Sequence, residues 1–121
     1  MSAPPLGFQG VKVIALSVTD PERANRFYRE TLALPPAYEG EEKVGYLLGQ
    51  TILMLKDNWY APPTATPNPR ITIAADHAPD TEAALRARAV TISDPVQAFD
   101  DFYVGSFTDS EGNKLWFCSA V

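Results

Sequence analysis

A strand that runs directly into a helix is indicated by the segment Ile14-Ala15-Leu16-Ser17-Val18-Thr19-Asp20-Pro21-Glu22. Apolar residues alternate with small or polar ones at its start, which is the period of two that a pleated strand imposes. Asp20 can accept hydrogen bonds from the first helical N–H groups, and Pro21 suits the first helical position. We therefore predict a strand over 11–18 and a helix from Pro21 to about Leu34.

The second half of the chain repeats this order of elements. An alternating segment at 71–75 again leads into an acidic helix start, and similar turns at Gly49 and Gly112 precede the last strand of each half. Chance similarity is the alternative, but order, spacing and turn chemistry agree, which favours duplication. We predict an α+β fold of paired βαβββ modules in a single domain. Module one covers about 11–57, a proline-rich connector about 58–69 and module two about 70–121.

The remaining predicted elements are short. The strands cover 37–39, 44–48, 51–56, 70–75, 90–93, 103–108 and 113–119, and the second helix covers 80–88. On the first strand the more apolar alternate residues should meet the helix, which leaves Val13 on the opposite face. The same alternation puts Arg70 and Trp116 on that opposite face, whereas the fourth strand is ambiguous between Leu53 and Met54.

The composition is that of an ordinary globular protein, with 45% hydrophobic and 21% charged residues among 121. Fifteen acidic residues against 10 basic ones give a net charge of −5. An acidic surface repels phosphate backbones, so we expect no nucleic-acid partner. The single Cys118 fits a reducing compartment, the amino terminus lacks the pattern of a signal peptide, and no run reaches the roughly 20 apolar residues that span a bilayer. We therefore expect a cytoplasmic protein without membrane association.

Two longer runs extend these patterns along the helix and around the last turn. They are Leu16-Ser17-Val18-Thr19-Asp20-Pro21-Glu22-Arg23-Ala24-x-x-Phe27-Tyr28-x-x-x-Leu32 and Phe107-Thr108-Asp109-Ser110-Glu111-Gly112-Asn113-Lys114-Leu115-Trp116-Phe117. They resemble the first module and the end of the second module of the vicinal oxygen chelate superfamily, which includes glyoxalase I, extradiol dioxygenases and the fosfomycin and bleomycin resistance proteins. The resemblance covers nearly the whole chain and implies sheets curled into a cup. It also implies a homodimer in which each cup is completed across the interface.

In the enzymes of this superfamily, side chains inside the cup hold a divalent metal, typically through two His and two Glu. By motif position, the resemblance assigns these slots to Val13, Leu53 or Met54, Arg70 and Trp116. None of these side chains suits such a cation, and Arg70 would repel it. We therefore expect no metal, no cofactor and no catalytic residues, since the family's chemistry needs the metal as Lewis acid. Within the superfamily, the chain therefore resembles the metal-free, bleomycin-resistance-like branch.

Aromatic residues in excess of what the core needs are candidate ligand contacts. An indole in the slot of Trp116 gives a flat apolar wall, and Arg70 beside it would suit a planar conjugated ligand with a carboxylate or carbonyl. For Trp59 and Tyr60, packing at a dimer interface or at the module junction is an alternative of equal weight to ligand contact. For Arg70, the alternative of equal weight is an ion pair with a carboxylate at an interface. The predicted ligand-binding residues are Trp116, Arg70, Tyr46, Trp59, Tyr60, Tyr103, Leu53 and Val13.

The resemblance and these residues predict metal-independent binding of a small aromatic or antibiotic-like molecule, of the sequestering resistance type. One alternative is a glyoxalase-like lyase, with atypical metal ligands or with acid–base chemistry through Glu39 or Asp109. A second alternative is a dimeric interaction module without a ligand, whose cup is filled chiefly by Leu53, Trp59 and Trp116.

Overall fold

Each half of the chain folds into its own four-stranded sheet in the computed structural model, which describes residues 5–7, 9–57, 61–67 and 69–121. The first sheet has the order β1-β4-β3-β2, and its strands are β1 (Val13–Ser17), β2 (Pro36–Glu39), β3 (Glu42–Leu48) and β4 (Thr51–Lys56). The second has the order β5-β8-β7-β6, and its strands are β5 (Thr72–Ala74), β6 (Thr91–Phe99), β7 (Phe102–Thr108) and β8 (Lys114–Ala120). One helix follows the first strand of each half, α1 (Pro21–Arg26) and α2 (Ala78–Ala87). The predicted α+β fold of paired βαβββ modules is confirmed.

Helix α1 begins where it was predicted to begin and ends earlier than predicted. Asp20 accepts a 3.1 Å hydrogen bond from a backbone amide of the first turn, and Pro21 is the first helical residue. The chain then continues as one π-helical turn, Phe27–Thr31, after which Ala33 has a φ of 55°. A positive φ cannot continue a right-handed helix, so the helix stops before Leu34.

Within the described residues, no helix is long and apolar enough to cross a membrane.

Strand β6 is longer than the predicted 90–93 because it continues through Pro95 to Phe99. It lies at the edge of its sheet, where the missing N–H of proline need not break a ladder. Its pairing register with β7 shifts between Ile92 and Gln97, as it does at a β-bulge. Strand β5 is shorter than predicted, with three residues, and α2 begins before the predicted residue 80.

The helices cover one face of the two sheets, the helix face, and leave uncovered the opposite face, which we call the cup face. The buried core of the first module consists of Leu16, Tyr28, Tyr46 and Leu53. The buried core of the second module consists of Ala78, Leu85, Val90, Phe107, Leu115 and Phe117. Phe27, Leu32 and Ile71 pack against both cores, so the apolar interior is continuous between the modules.

The predicted faces of β1, β5 and β8 are confirmed, because the apolar alternate residues of these strands pack in the two cores. The ambiguity on β4 is also resolved. Leu53 pairs in register with Ile14 and Tyr46 and is fully buried on the helix face. Met54, the next residue, therefore lies on the cup face, opposite Ala15.

The turn between β7 and β8 joins the second module to the start of α1. The Glu111 carboxylate accepts hydrogen bonds from the amides of Thr19 and Asp20 and forms a 2.7 Å ion pair with Arg23. Burial by itself would raise the pKa of Glu111, but the hydrogen bonds outweigh burial and lower the pKa to about 2. The side-chain amide of Asn113 donates a 2.7 Å hydrogen bond to the Ser17 carbonyl. This turn therefore fixes how the two modules sit against each other.

Candidate functional site

The cup face of the second sheet is centred on Trp116. Strand β8 lies between β5 and β7, so Trp116 stands opposite Thr72 on one side and Ser106 on the other. Its sequence neighbours Leu115 and Phe117 are buried on the helix face, because successive side chains of a strand point to opposite sides. Trp116 itself is only half-buried, so part of its indole is open to solvent.

Two cations lie against this indole. The guanidinium carbon of Arg70 is 4.0 Å from the ring centre, and the ammonium nitrogen of Lys114 is 4.3 Å from it. Cations at such distances from an aromatic ring are attracted by its quadrupole, by about 0.5–2 kcal/mol each. Arg70 precedes β5, and Lys114 is two positions before Trp116 on β8, which gives it the same face. The expected juxtaposition of Arg70 and Trp116 is therefore present.

Asp94 ties Lys114 into a polar cluster beside the indole. The ammonium nitrogen of Lys114 is 2.6 Å from Oδ2 of Asp94, and the Ser106 hydroxyl donates to the same oxygen. The hydrogen bond from Lys114 is the main cause that lowers the pKa of Asp94 from its ordinary value, and the hydrogen bond from Ser106 is the next largest. With Arg70, the cluster holds two positive charges and one negative charge.

Three predicted ligand-binding residues lie on the helix face instead of the cup face. Tyr46 and Leu53 are fully buried in the core of the first module, where the Tyr46 hydroxyl donates a 2.7 Å hydrogen bond to the Asn25 side chain. Tyr103 pairs with the buried Ser119 on β8 and packs against the second core. The structure therefore does not bring these three residues together with Trp116. The physical reason is strand alternation, since Tyr46 shares a register position with Leu53 and not with Met54.

The other predicted residues are on separate strands or outside the described part of the chain. Val13 is half-buried on the cup face of the first sheet, in register with Ile52. Trp59 and Tyr60 fall outside the described residues. Cys118 is half-buried on the cup face, one alternate position beyond Trp116.

Sequence reasoning did not predict that Lys114 contacts the indole of Trp116 or that Asp94 lies beside it. The signal for Lys114 was available, because it has the same strand parity as Trp116. Asp94 could not be found in this way, because the predicted strand ended at residue 93. Its position depends on β6 continuing as the edge strand beside β7.

The carboxylates proposed for acid–base chemistry are engaged elsewhere. Asp109 is buried and accepts hydrogen bonds from the Tyr28 hydroxyl and from the backbone amides of Glu111 and Asn113. Glu39 is exposed and lies 3.6 Å from Lys12. Among the described residues, no three His, Cys, Asp or Glu side chains are grouped so that they could hold a metal ion.

In one chain the cup face beside Trp116 is open to solvent on the β5 side, whereas Ser106 on the β7 side is fully buried. Arg70, just before β5, and Thr72, at its start, are exposed. A separate cavity of about 750 Å³ lies on the helix face, where Leu32 and Phe117 are among its lining residues. Trp116 and this cavity are on opposite sides of the second sheet.

Solved structures with this arrangement of elements come from several bacteria. The antibiotic binding protein TnmS3 from Streptomyces sp. CB03234 has a TM-score of 0.74 at 20% identity, over 97% of this chain and 100% of that one. A putative glyoxalase family protein from Bacillus anthracis has a TM-score of 0.80 at 16% identity, over 98% of this chain and 100% of that one. Lactoylglutathione lyase from Agrobacterium tumefaciens has a TM-score of 0.70 at 18% identity, over 97% of this chain and 96% of that one. At these identities the likeness establishes a common fold.

The family assignment follows from the sequence itself. None of the curated proteins compared with the chain matches it. The model of the Glyoxalase/Bleomycin resistance protein/Dioxygenase superfamily matches residues 10–117, which include both modules. The chain, with its two βαβββ modules, therefore belongs to the glyoxalase/bleomycin resistance protein/dioxygenase superfamily.

Proposed function

We propose that the protein binds a small planar aromatic molecule on its cup face, without a metal, and sequesters it stoichiometrically. The observation that carries the proposal is the Arg70 guanidinium 4.0 Å from the centre of the Trp116 indole. In this proposal the exposed guanidinium, which lies over the indole in the free chain, moves aside so that the ligand ring stacks on the flat apolar indole while the guanidinium donates hydrogen bonds to the ligand. Together they suit a conjugated ring system that bears a carboxylate or carbonyl group.

The charges of the cluster favour an acceptor-rich or anionic ligand over a cationic one. Lys114 is held by Asp94, so one of the two positive charges is already neutralised. Arg70 is exposed, and its guanidinium can exchange solvent for a ligand oxygen. A carboxylate placed there gains a charge-assisted hydrogen bond, whereas an ammonium group would be repelled.

A second copy of the chain supplies the opposite wall in this proposal. Small-molecule sites bury most of the ligand surface, and a single open sheet face covers only one side of a planar ring. Arg70 and Thr72 are exposed in one chain and would be covered in such a homodimer. Val13, on the cup face of the other module, is the candidate for the facing wall.

The similarity to TnmS3 supports binding of a small molecule. That protein is described as an antibiotic binding protein, and its fold matches over 97% of this chain. The same scaffold therefore can hold an antibiotic. By motif position, the resemblance assigns the metal-ligand slots of the superfamily's enzymes to Val13, Leu53 or Met54, Arg70 and Trp116, and these side chains do not suit the chemistry of a divalent Lewis acid.

The proposal is tested with two probes that share a ring system and differ in charge, 1-pyrenecarboxylate and 1-pyrenemethylamine. Pyrene anisotropy is titrated against the protein, and the melting temperature is followed in parallel, because a ligand that binds only the folded state raises it. We expect saturable binding of the carboxylate at one molecule per chain, which Trp116→Ala weakens, whereas any binding of the amine should be unaffected by Trp116→Ala. A broader panel of planar antibiotics is screened by the same thermal shift.

Each contrary result identifies an alternative. Stoichiometric zinc, nickel, iron or manganese in protein purified without chelator overturns the proposal in favour of a glyoxalase-like lyase. A stable dimer that binds neither probe nor any antibiotic of the panel overturns it in favour of an interaction module.

A further inference from the structure

The cavity on the helix face has the size and lining of a small-molecule site. Its volume is about 750 Å³, within the range of roughly 300–1,000 Å³ that ligand pockets occupy. Leu32, Leu34 and Leu48 line it from the first module, and Leu85 and Phe117 line it from the second. The cavity therefore lies between the two modules and presents mainly apolar side chains.

Its polar groups are concentrated at the beginning of α2. Asp76, His77, Asp80 and Thr81 line the cavity there, and Nδ1 of His77 is 3.1 Å from Oδ2 of Asp80. No lysine or arginine is among the described residues that line it. The helix N-terminus contributes roughly half a positive charge, which offsets only part of two carboxylates. The rim is therefore negative at neutral pH.

We propose that this cavity is a second binding site, which takes a hydrophobic cation. The apolar body of the ligand fills the space between Leu32 and Phe117, and its positive charge lies near Asp76 and Asp80. This charge preference is opposite to that of the cup face, where Arg70 and Lys114 lie against Trp116. The inference does not depend on the proposed function, because different side chains carry the two proposals.

Tetraphenylphosphonium and tetraphenylborate test the proposal, since they have nearly the same shape and opposite charge. Binding of each ion is measured by isothermal titration calorimetry. We expect the cation to bind at one molecule per chain and at least about fivefold more tightly than the anion, the ratio that about 1 kcal/mol of electrostatic free energy produces. Equal affinities, or tighter binding of the anion, would overturn the proposal.

Two kinds of variant locate the cation. Ala84→Trp, at an exposed position of α2 that lines the cavity, fills the space and should abolish binding. Asp76→Asn and Asp80→Asn leave the volume unchanged and should each weaken cation binding by about fivefold. The charge variants therefore keep the test valid if Ala84→Trp folds poorly. Cation binding that is unchanged in both charge variants overturns the proposal.

The matched control is Glu22→Gln, which also removes one negative charge from an exposed residue in the first turn of a helix. Glu22 belongs to α1 and does not line the cavity, whereas Asp80 occupies the first turn of α2 and does. The control should leave tetraphenylphosphonium affinity within about twofold of the unaltered protein. An equal loss in Glu22→Gln and Asp80→Asn would show that only the net charge matters and would contradict the proposal.

Discussion

The phenol of Tyr28 donates a 2.8 Å hydrogen bond to the carboxylate of Asp109, which lies 81 residues further along the chain and in the other module. Tyr28 is fully buried, and Asp109 is also buried. Burial of the phenol raises its pKa well above 10, and the charge of Asp109 adds to the effect. This bond therefore links the helix of one module to the last turn of the other.

Tyr28→Phe should destabilise the protein by about 1–3 kcal/mol, because a buried carboxylate loses a donor. Urea unfolding at pH 7 measures the change. The raised pKa also predicts that stability falls as pH rises above about 10, where the unfolded phenol ionises and the native one does not. This alkaline loss should be smaller in Tyr28→Phe. If the free energy of unfolding depends on pH identically in both proteins, the alkaline loss of stability does not come from the Tyr28 phenol.

Glu111 should make stability fall in acid. Its pKa is about 2 in the folded protein against an ordinary value of 4.5, so its contribution is complete above about pH 4.5 and is lost as pH falls through 2. The shift corresponds to about 3 kcal/mol. In Glu111→Gln this contribution should already be missing at pH 7, and stability should change less between pH 5 and 2. Urea unfolding of the unaltered protein and of Glu111→Gln is measured at a series of pH values. If the free energy of unfolding depends on pH in the same way in the two proteins, the predicted contribution of Glu111 is contradicted.

Trp116 and Phe117 are neighbours on β8 with opposite roles. Phe117→Ala, in the core, should cost on the order of 3–5 kcal/mol of stability. Trp116→Ala, on the half-open cup face, should cost less and should weaken 1-pyrenecarboxylate binding by at least about tenfold. Chemical denaturation and pyrene anisotropy are measured on both variants. If Trp116→Ala is the more destabilised of the two, the indole has a structural role.

Arg70 should set the charge preference of the cup face. Arg70→Ala should reduce the affinity for 1-pyrenecarboxylate relative to 1-pyrenemethylamine by about fivefold. Its effect on stability should be no more than about 1 kcal/mol, because Arg70 is exposed and a cation–π contact at an exposed site contributes about 0.5–1 kcal/mol. Arg26→Ala, at an exposed arginine of α1, is the control and should change neither quantity. A ratio of affinities that stays the same in Arg70→Ala would remove Arg70 from the site.

Local patterns were sufficient for the fold and for part of the candidate site. Alternation of apolar residues assigned the faces of β1, β5 and β8 correctly, because the direction of a side chain on a strand depends only on its position along that strand. The Asp20-Pro21 pair predicted the start of α1 for an equally local reason. The same alternation, with the family resemblance, put Arg70 beside Trp116.

Contacts between elements distant in sequence required the tertiary structure. Asp94 reaches Lys114 only because β6 is an edge strand and continues through Pro95. Tyr46 was predicted near the ligand from its aromatic character, but its register with Leu53 buries it on the helix face. The cavity between the modules likewise depends on how two separately formed sheets pack, and no short segment of the chain contains that information.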